Sequence, residues 1–282
     1  MNLTIKTYLD SFKFKKVFGE ILLIDLVYFG IITALFTIIL NFFQNKFSVL
    51  TGGKTPEQVQ QLLATASPEQ LLPFLSQLKF YLILFLIVII LLSFFAFFSY
   101  SFSQSLIWHK LLAKKPFRHW RWNLLNLTLI IPILLYSLAA LLIKFITGYL
   151  FKKIITLNPA FYLQNSDYLD AILTLLNGMV TFLLVLLGLI IILLTYFSFT
   201  EKNQVWISVG DSFHLLKLHW RKIWKVLLLA ALTAIIITLI LIPIKKILPT
   251  STLLDQALNL FISAFYLAWI RVYLIKAIHS IA

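Results

Sequence analysis

Acid–base or metal chemistry in this chain would have to come from five histidines and ten carboxylates, because the sequence contains no cysteine. The lack of thiols removes disulfides, thiolate zinc sites, thiol nucleophiles and iron–sulfur clusters together. The histidines, His109, His119, His214, His219 and His279, all lie in or beside basic, tryptophan-rich segments. His214 and His219 are five residues apart, which splays them round a helix, and no carboxylate joins them in a metalloprotease pattern. Gly52-Gly53-Lys54 lacks the upstream glycine and the strand of a phosphate-binding loop. No catalytic residue, metal or cofactor is expected, and the chain reads as non-enzymatic.

The stronger candidates are polar side chains inside apolar runs, where each costs free energy unless it finds a partner or a wet cavity. Thr174, Asn177 and Thr181 share one helical face, and Asp255, Asn259 and Ser263 share another. Facing each other, these stripes would form a polar pocket with Asp255 at its mouth, as a transporter of a small solute or lipid would need. Packing across helices, at about 0.6 kcal/mol per hydrogen bond, is the plainer role of such residues. Asp25 and Arg271 lie at similar depth in the first and last runs, and a buried ion pair is expected between them, with Lys16 or Lys276 as other partners for Asp25.

The elements that must position these groups are apolar helices. Of 282 residues, 61% are apolar and 12% charged, with the charges gathered between long apolar stretches. A hydrocarbon layer of roughly 30 Å takes about 20 residues of helix, and without water the backbone must bond to itself. The runs lack the period-two alternation of barrel strands and are too long for them. One all-α domain, a polytopic bundle over residues 1–282, is expected with spans at 21–43, 80–102, 124–146, 171–197, 226–248 and 254–275. Residues 1–20 read as an interfacial segment leading into a retained signal anchor. Six crossings put both termini on one side. That side holds sixteen lysines and arginines, including all four arginines, against eight on the other, so the positive-inside rule places both termini in the cytoplasm of a cell-membrane protein.

Between the first two spans, at 44–79, Thr55-Pro56-Glu57-Gln58 and Ser67-Pro68-Glu69-Gln70 each combine a hydroxyl cap, proline at the first helical position and glutamine at the capping-box position. Two short amphipathic helices are expected there, and Asn158-Pro159 reads as a weaker start in the next outer loop. On the basic side, Trp206, Val209, Phe213, Leu216, Trp220 and Ile223 form one apolar stripe, so an interfacial helix is expected to run into the fifth span. Asp10-Ser11-Phe12 before the first span and the basic, aromatic stretch 106–122, interrupted by Pro116, follow the same plan, giving interfacial helices before spans one, three and five. All seven tryptophans fall near this side, where an indole can bury its ring and keep its N–H wet.

The run Tyr196 to Leu228, YFSFTEKNQVWISVGDSFHLLKLHWRKIWKVLL, resembles six-span membrane proteins of the YciC-like group and the membrane domain attached to some glycerophosphodiester phosphodiesterases. The shared pattern is a span ending in an aromatic, a short acidic turn, an amphipathic helix and the next span, with Ser212, Leu216, Lys217, Trp220 and Lys222 in the corresponding places. The resemblance covers spans four to six and, by span count only, the rest. It implies an architecture and carries no catalytic motif.

The +14 net charge needs no nucleic acid, since the cations flank spans where anionic headgroups meet them. Lys217, Trp220, Arg221, Lys222, Trp224, Lys225, Trp120 and Arg121 are the residues expected to engage the lipid bilayer, its anionic headgroups, or a partner subunit.

Overall fold

The computed structural model describes residues 3–13, 16–65, 68–114, 119–155, 166–247 and 252–279. Among these the regular elements are all α-helices: α1 Leu3–Ser11, α2 Lys16–Thr51, α3 Pro56–Thr65, α4 Pro68–Leu112, α5 His119–Ile155, α6 Ser166–Lys202, α7 Val205–Leu218, α8 Trp220–Ile247 and α9 Thr252–His279. Six of them, α2, α4, α5, α6, α8 and α9, are long and apolar enough to cross a membrane. The chain is a multi-pass, all-helical membrane protein. Most of these helices overshoot the expected spans: α2 has 36 residues, where the apolar run alone gives 21–43. Hydropathy marks only the lipid-solvated part, and i to i−4 hydrogen bonding carries the helix on through its polar ends.

The chain divides into two compact units, Ile24–Ser103, and Met1–Leu23 with Gln104–Ala282. In the smaller unit α2 and α4 pair antiparallel: Tyr28 donates to the Ala96 carbonyl at 3.3 Å, and the Phe43 and Phe85 rings meet edge to face at 4.9 Å. The connection follows its local chemistry. Gly52 and Gly53, at φ +62° and +71°, end α2 in the left-handed region that glycine tolerates, and Gly53 N–H returns to the Ser48 carbonyl. Thr55 and Gln58 then form the reciprocal capping box at the start of α3, with Thr55 N–H donating to Gln58 Oε1 at 3.0 Å and Gln58 N–H to Thr55 Oγ1 at 3.4 Å. The second short helix is not separate, because α4 runs from Pro68 through Pro73 into the span.

In the larger unit α5 and α6 are antiparallel neighbours. Tyr196 donates to Asn126 Oδ1 at 2.7 Å near one end, and Tyr136 donates to the Leu184 carbonyl at 2.5 Å further along. Helices α8 and α9 pair in the same way, through Tyr266 to the Ala230 carbonyl at 3.0 Å and Lys245 to Asp255 at 2.8 Å. α1 docks on α9, where Trp269 Nε1 donates to Ser11 Oγ at 3.0 Å and Phe12 stacks on the Trp269 ring. A separate helix before the third span does not form among the described residues. α4 continues to Leu112, Ala113 turns at φ +52°, and α5 opens at His119. Pro116 and Asn158-Pro159 lie outside the described residues.

Gly188 sets the closest approach of α5 and α6, since a Cβ there would stand 2.8 Å from Tyr136 Cε1. Gly188→Ala should therefore destabilise this pair by about 1–3 kcal/mol. It should lower the midpoint of unfolding in a denaturing-detergent titration, and Gly188→Ala with Tyr136→Leu should recover most of the loss. An unchanged midpoint for the single variant would show that the ring does not press on Gly188.

Candidate functional site

At the end of the larger unit that carries the termini of α1 and α9, the aromatic residues divide into two populations. Trp108, Trp122 and Trp269 are fully buried, and Trp120, Trp206, Trp220 and Trp224 are exposed. Trp108 and Trp122 pack around the Tyr196 ring at 6.1 and 5.6 Å, and Trp122 meets Phe199 edge to face at 5.0 Å. Their indole N–H groups reach no acceptor among the described residues. These two and Trp269 thus serve the protein interior, which corrects the expectation of seven interfacial anchors. Composition places an indole near an interface, but its neighbours decide which way it turns.

α7 keeps its large apolar residues outward, the side an interfacial helix turns to the membrane. Its buried residues are Ser208 and Ser212, with hydroxyls returned to the Gln204 and Val209 carbonyls of their own chain. Small, internally satisfied side chains let α7 lie close to α6, and the larger apolar residues Trp206, Phe213 and Leu218 stay exposed, Trp206 at 74%. The expected apolar stripe does not continue as one helix. His219 breaks it, its carbonyl accepting from Lys222 and Ile223 N–H as α8 begins, and Ile223 is buried. Trp220 and Trp224 are one turn apart on α8 with ring centroids 5.8 Å apart. Lys217, Arg221, Lys222 and Lys225 are all exposed beside them. No described side chain pairs with these four cations, so the surface combines exposed indoles with uncompensated positive charge.

Arg121 has a further role. Its guanidinium lies 5.8 Å from the Trp120 ring centroid, and Nη1 donates to the Asn203 carbonyl at 3.3 Å, tying the start of α5 to the α6–α7 turn. That turn is also held by Asp211, which accepts from Ser198 at 2.9 Å and pairs with Lys202 at 2.7 Å. The hydrogen bond from Lys202 holds the Asp211 carboxyl below its ordinary value, against a smaller opposing effect of burial.

The two polar stripes turn to different partners. Asp255 and Asn259 join Lys245 of α8: Lys245 Nζ lies 2.8 Å from Asp255 Oδ1 and donates to Asn259 Oδ1 at 2.8 Å, and Asn259 Nδ2 donates to Asp255 Oδ2 at 3.1 Å. Asn177 lies against Gly148 of α5, and Thr181 returns its hydroxyl to the Asn177 carbonyl. Thr174 and Ser263 are exposed. Asp25 and Arg271 are both buried but belong to different compact units; Arg271 Nη2 donates to Gln104 Oε1 at 3.4 Å.

No family model, curated protein or solved structure matches the chain. The site is described by its own chemistry. Among the described residues no three histidine or carboxylate side chains converge as a metal would require. Sequence reasoning missed the groove beside Asn177, although Lys144, Gly148 and Lys152 at four-residue spacing mark it on one face of α5.

Because the folded-state value of Asp211 is lowered, its contribution is complete above the ordinary carboxylate value of 3.8 and is lost as pH falls through the folded one. Asp211→Asn should remove it at every pH. Backbone exchange in α7 at neutral pH should then be faster in the variant, with the difference shrinking in acid; equal exchange at neutral pH would mean that the Lys202 pair does not hold the turn.

Proposed function

We propose that the protein is a non-enzymatic component of the cell membrane, with both termini in the cytoplasm, that engages anionic lipid headgroups through α7 and the first turns of α8. The observation that carries this reading is the uncompensated cluster of Lys217, Arg221, Lys222 and Lys225 beside the exposed rings of Trp220 and Trp224, with Trp206 exposed at the start of α7. An indole sits well at headgroup depth, and each cation near an anionic leaflet contributes about 1 kcal/mol before screening. Trp120 belongs to the same surface, and Arg121 is partly committed to the Asn203 carbonyl. A partner subunit with an acidic face would use the same chemistry. The rival reading, a carrier with its site between α6 and α9, requires Asn177 and Asp255 to open on one space. Lys245 engages Asp255, which favours the headgroup reading.

The test is tryptophan quenching in the full-length protein reconstituted with brominated phosphatidylglycerol or brominated phosphatidylcholine at equal fraction. The anionic lipid should quench more. The excess should fall as salt rises from about 0.05 to about 0.5 M, where the screening length shrinks from roughly 14 to roughly 4 Å. Neutralising all four cations to glutamine should abolish most of the excess. Equal quenching by the two lipids in the unmodified protein at low salt would overturn the proposal.

A further inference from the structure

The far end of α5, away from Trp120 and Trp122, carries a groove that the headgroup surface does not involve. Lys144, Gly148 and Lys152 recur at four-residue intervals on one face, and Gly148 leaves a gap between the two lysines. The gap opens into a cavity of about 700 Å³, within the size range of small-molecule sites. Asn177 of α6 closes one side: a Cβ at Gly148 would lie 3.7 Å from its Oδ1. That oxygen is buried and has no hydrogen-bond partner among the described residues, so it awaits a donor.

The lining is graded. Leu138, Leu141 and Leu142 make the part nearer the middle of the helix, and Lys144, Phe145, Tyr149, Lys152 and Asn177 line the part toward its end. Lys144 follows the exposed Trp120 by 24 positions in one continuous helix, about 36 Å at 1.5 Å per residue. That exceeds the roughly 30 Å of a hydrocarbon core. With the Trp120–Trp122 end at one headgroup layer, Lys144 reaches the other. The order along the groove is then apolar at acyl-chain depth, followed by cations and an unfilled acceptor at headgroup depth.

We propose that this groove binds one phospholipid whose headgroup is anionic and carries a hydroxyl, as in phosphatidylglycerol. The phosphate lies between Lys144 and Lys152, a glycerol hydroxyl donates to Asn177 Oδ1, and an acyl chain follows Leu138, Leu141 and Leu142. Phosphatidylcholine offers neither net charge nor a donor. The site is independent of the headgroup surface on α7 and α8.

The experiment uses the full chain bearing Lys217→Gln, Arg221→Gln, Lys222→Gln and Lys225→Gln, purified in neutral detergent, so that the opposite end contributes little. Retained lipid is counted by native mass spectrometry during titration with short-chain phosphatidylglycerol, the matching phosphatidylcholine, or tail-less glycerol phosphate. One saturable phosphatidylglycerol is expected, bound at least about tenfold more tightly than phosphatidylcholine, through the hydroxyl bond to Asn177 and the net negative charge between the lysines, and than glycerol phosphate, through the acyl chain. Gly148→Leu, which fills the gap, should abolish the adduct. Asn177→Leu should reduce the preference over phosphatidylcholine, and Lys144→Gln with Lys152→Gln should weaken binding of the anionic lipid. Equal binding of the two phospholipids, binding of glycerol phosphate as tight as that of the lipid, or an adduct unaffected by both Gly148→Leu and the lysine pair would overturn the proposal.

Discussion

Helices solvated by hydrocarbon gain little from hiding apolar surface from one another, because a lipid tail is as apolar as a leucine. Association must come from close packing and from polar groups that have nowhere better to go. The larger unit meets this constraint at one end, where hydroxyls and indoles connect elements far apart in sequence: Tyr196 to Asn126, Trp269 to Ser11, and Tyr8 to Thr233 at 2.8 Å. Each such bond is worth a fraction of a kcal/mol to somewhat more than 1 kcal/mol, and aromatic pairs such as Trp269 with Tyr273 at 5.4 Å add about as much. Toward the opposite end the walls of α5 are largely exposed leucine and isoleucine, from Ile130 to Leu150.

This distribution explains the tryptophans. Three indoles are built into the aromatic joints that close the helix ends, and four remain on the outside beside lysine and arginine. Trp206 stays outside because α7 packs through Ser208 and Ser212 and keeps its bulky residues outward. A helix packed through small residues and presenting large apolar ones is the expected arrangement where the surroundings are lipid.

The sequence alone revealed the six apolar runs, the Thr55–Gln58 cap and the period of the Trp206–Leu216 stripe, because each depends on neighbours within a few positions. It did not reveal which face of a helix is packed. Periodicity marks an apolar face without saying which side is packed, and on α7 the packed side carries Ser208 and Ser212. The polar stripes are legible as faces of their helices, but their partners, Gly148 for Asn177 and Lys245 for Asp255, depend on which helices adjoin. His219 was invisible as a break because no proline or glycine marks it.

The contact between Ser11 and Trp269 joins residues 258 positions apart. A nascent chain is inserted from its amino end, so α1 leaves the ribosome long before α9 exists to receive it. α1 must remain unseated until α9 has been made, so this corner of the protein is assembled after the intervening helices. The arrival of α9, rather than any earlier step, sets when Tyr8, Ser11 and Phe12 find their places.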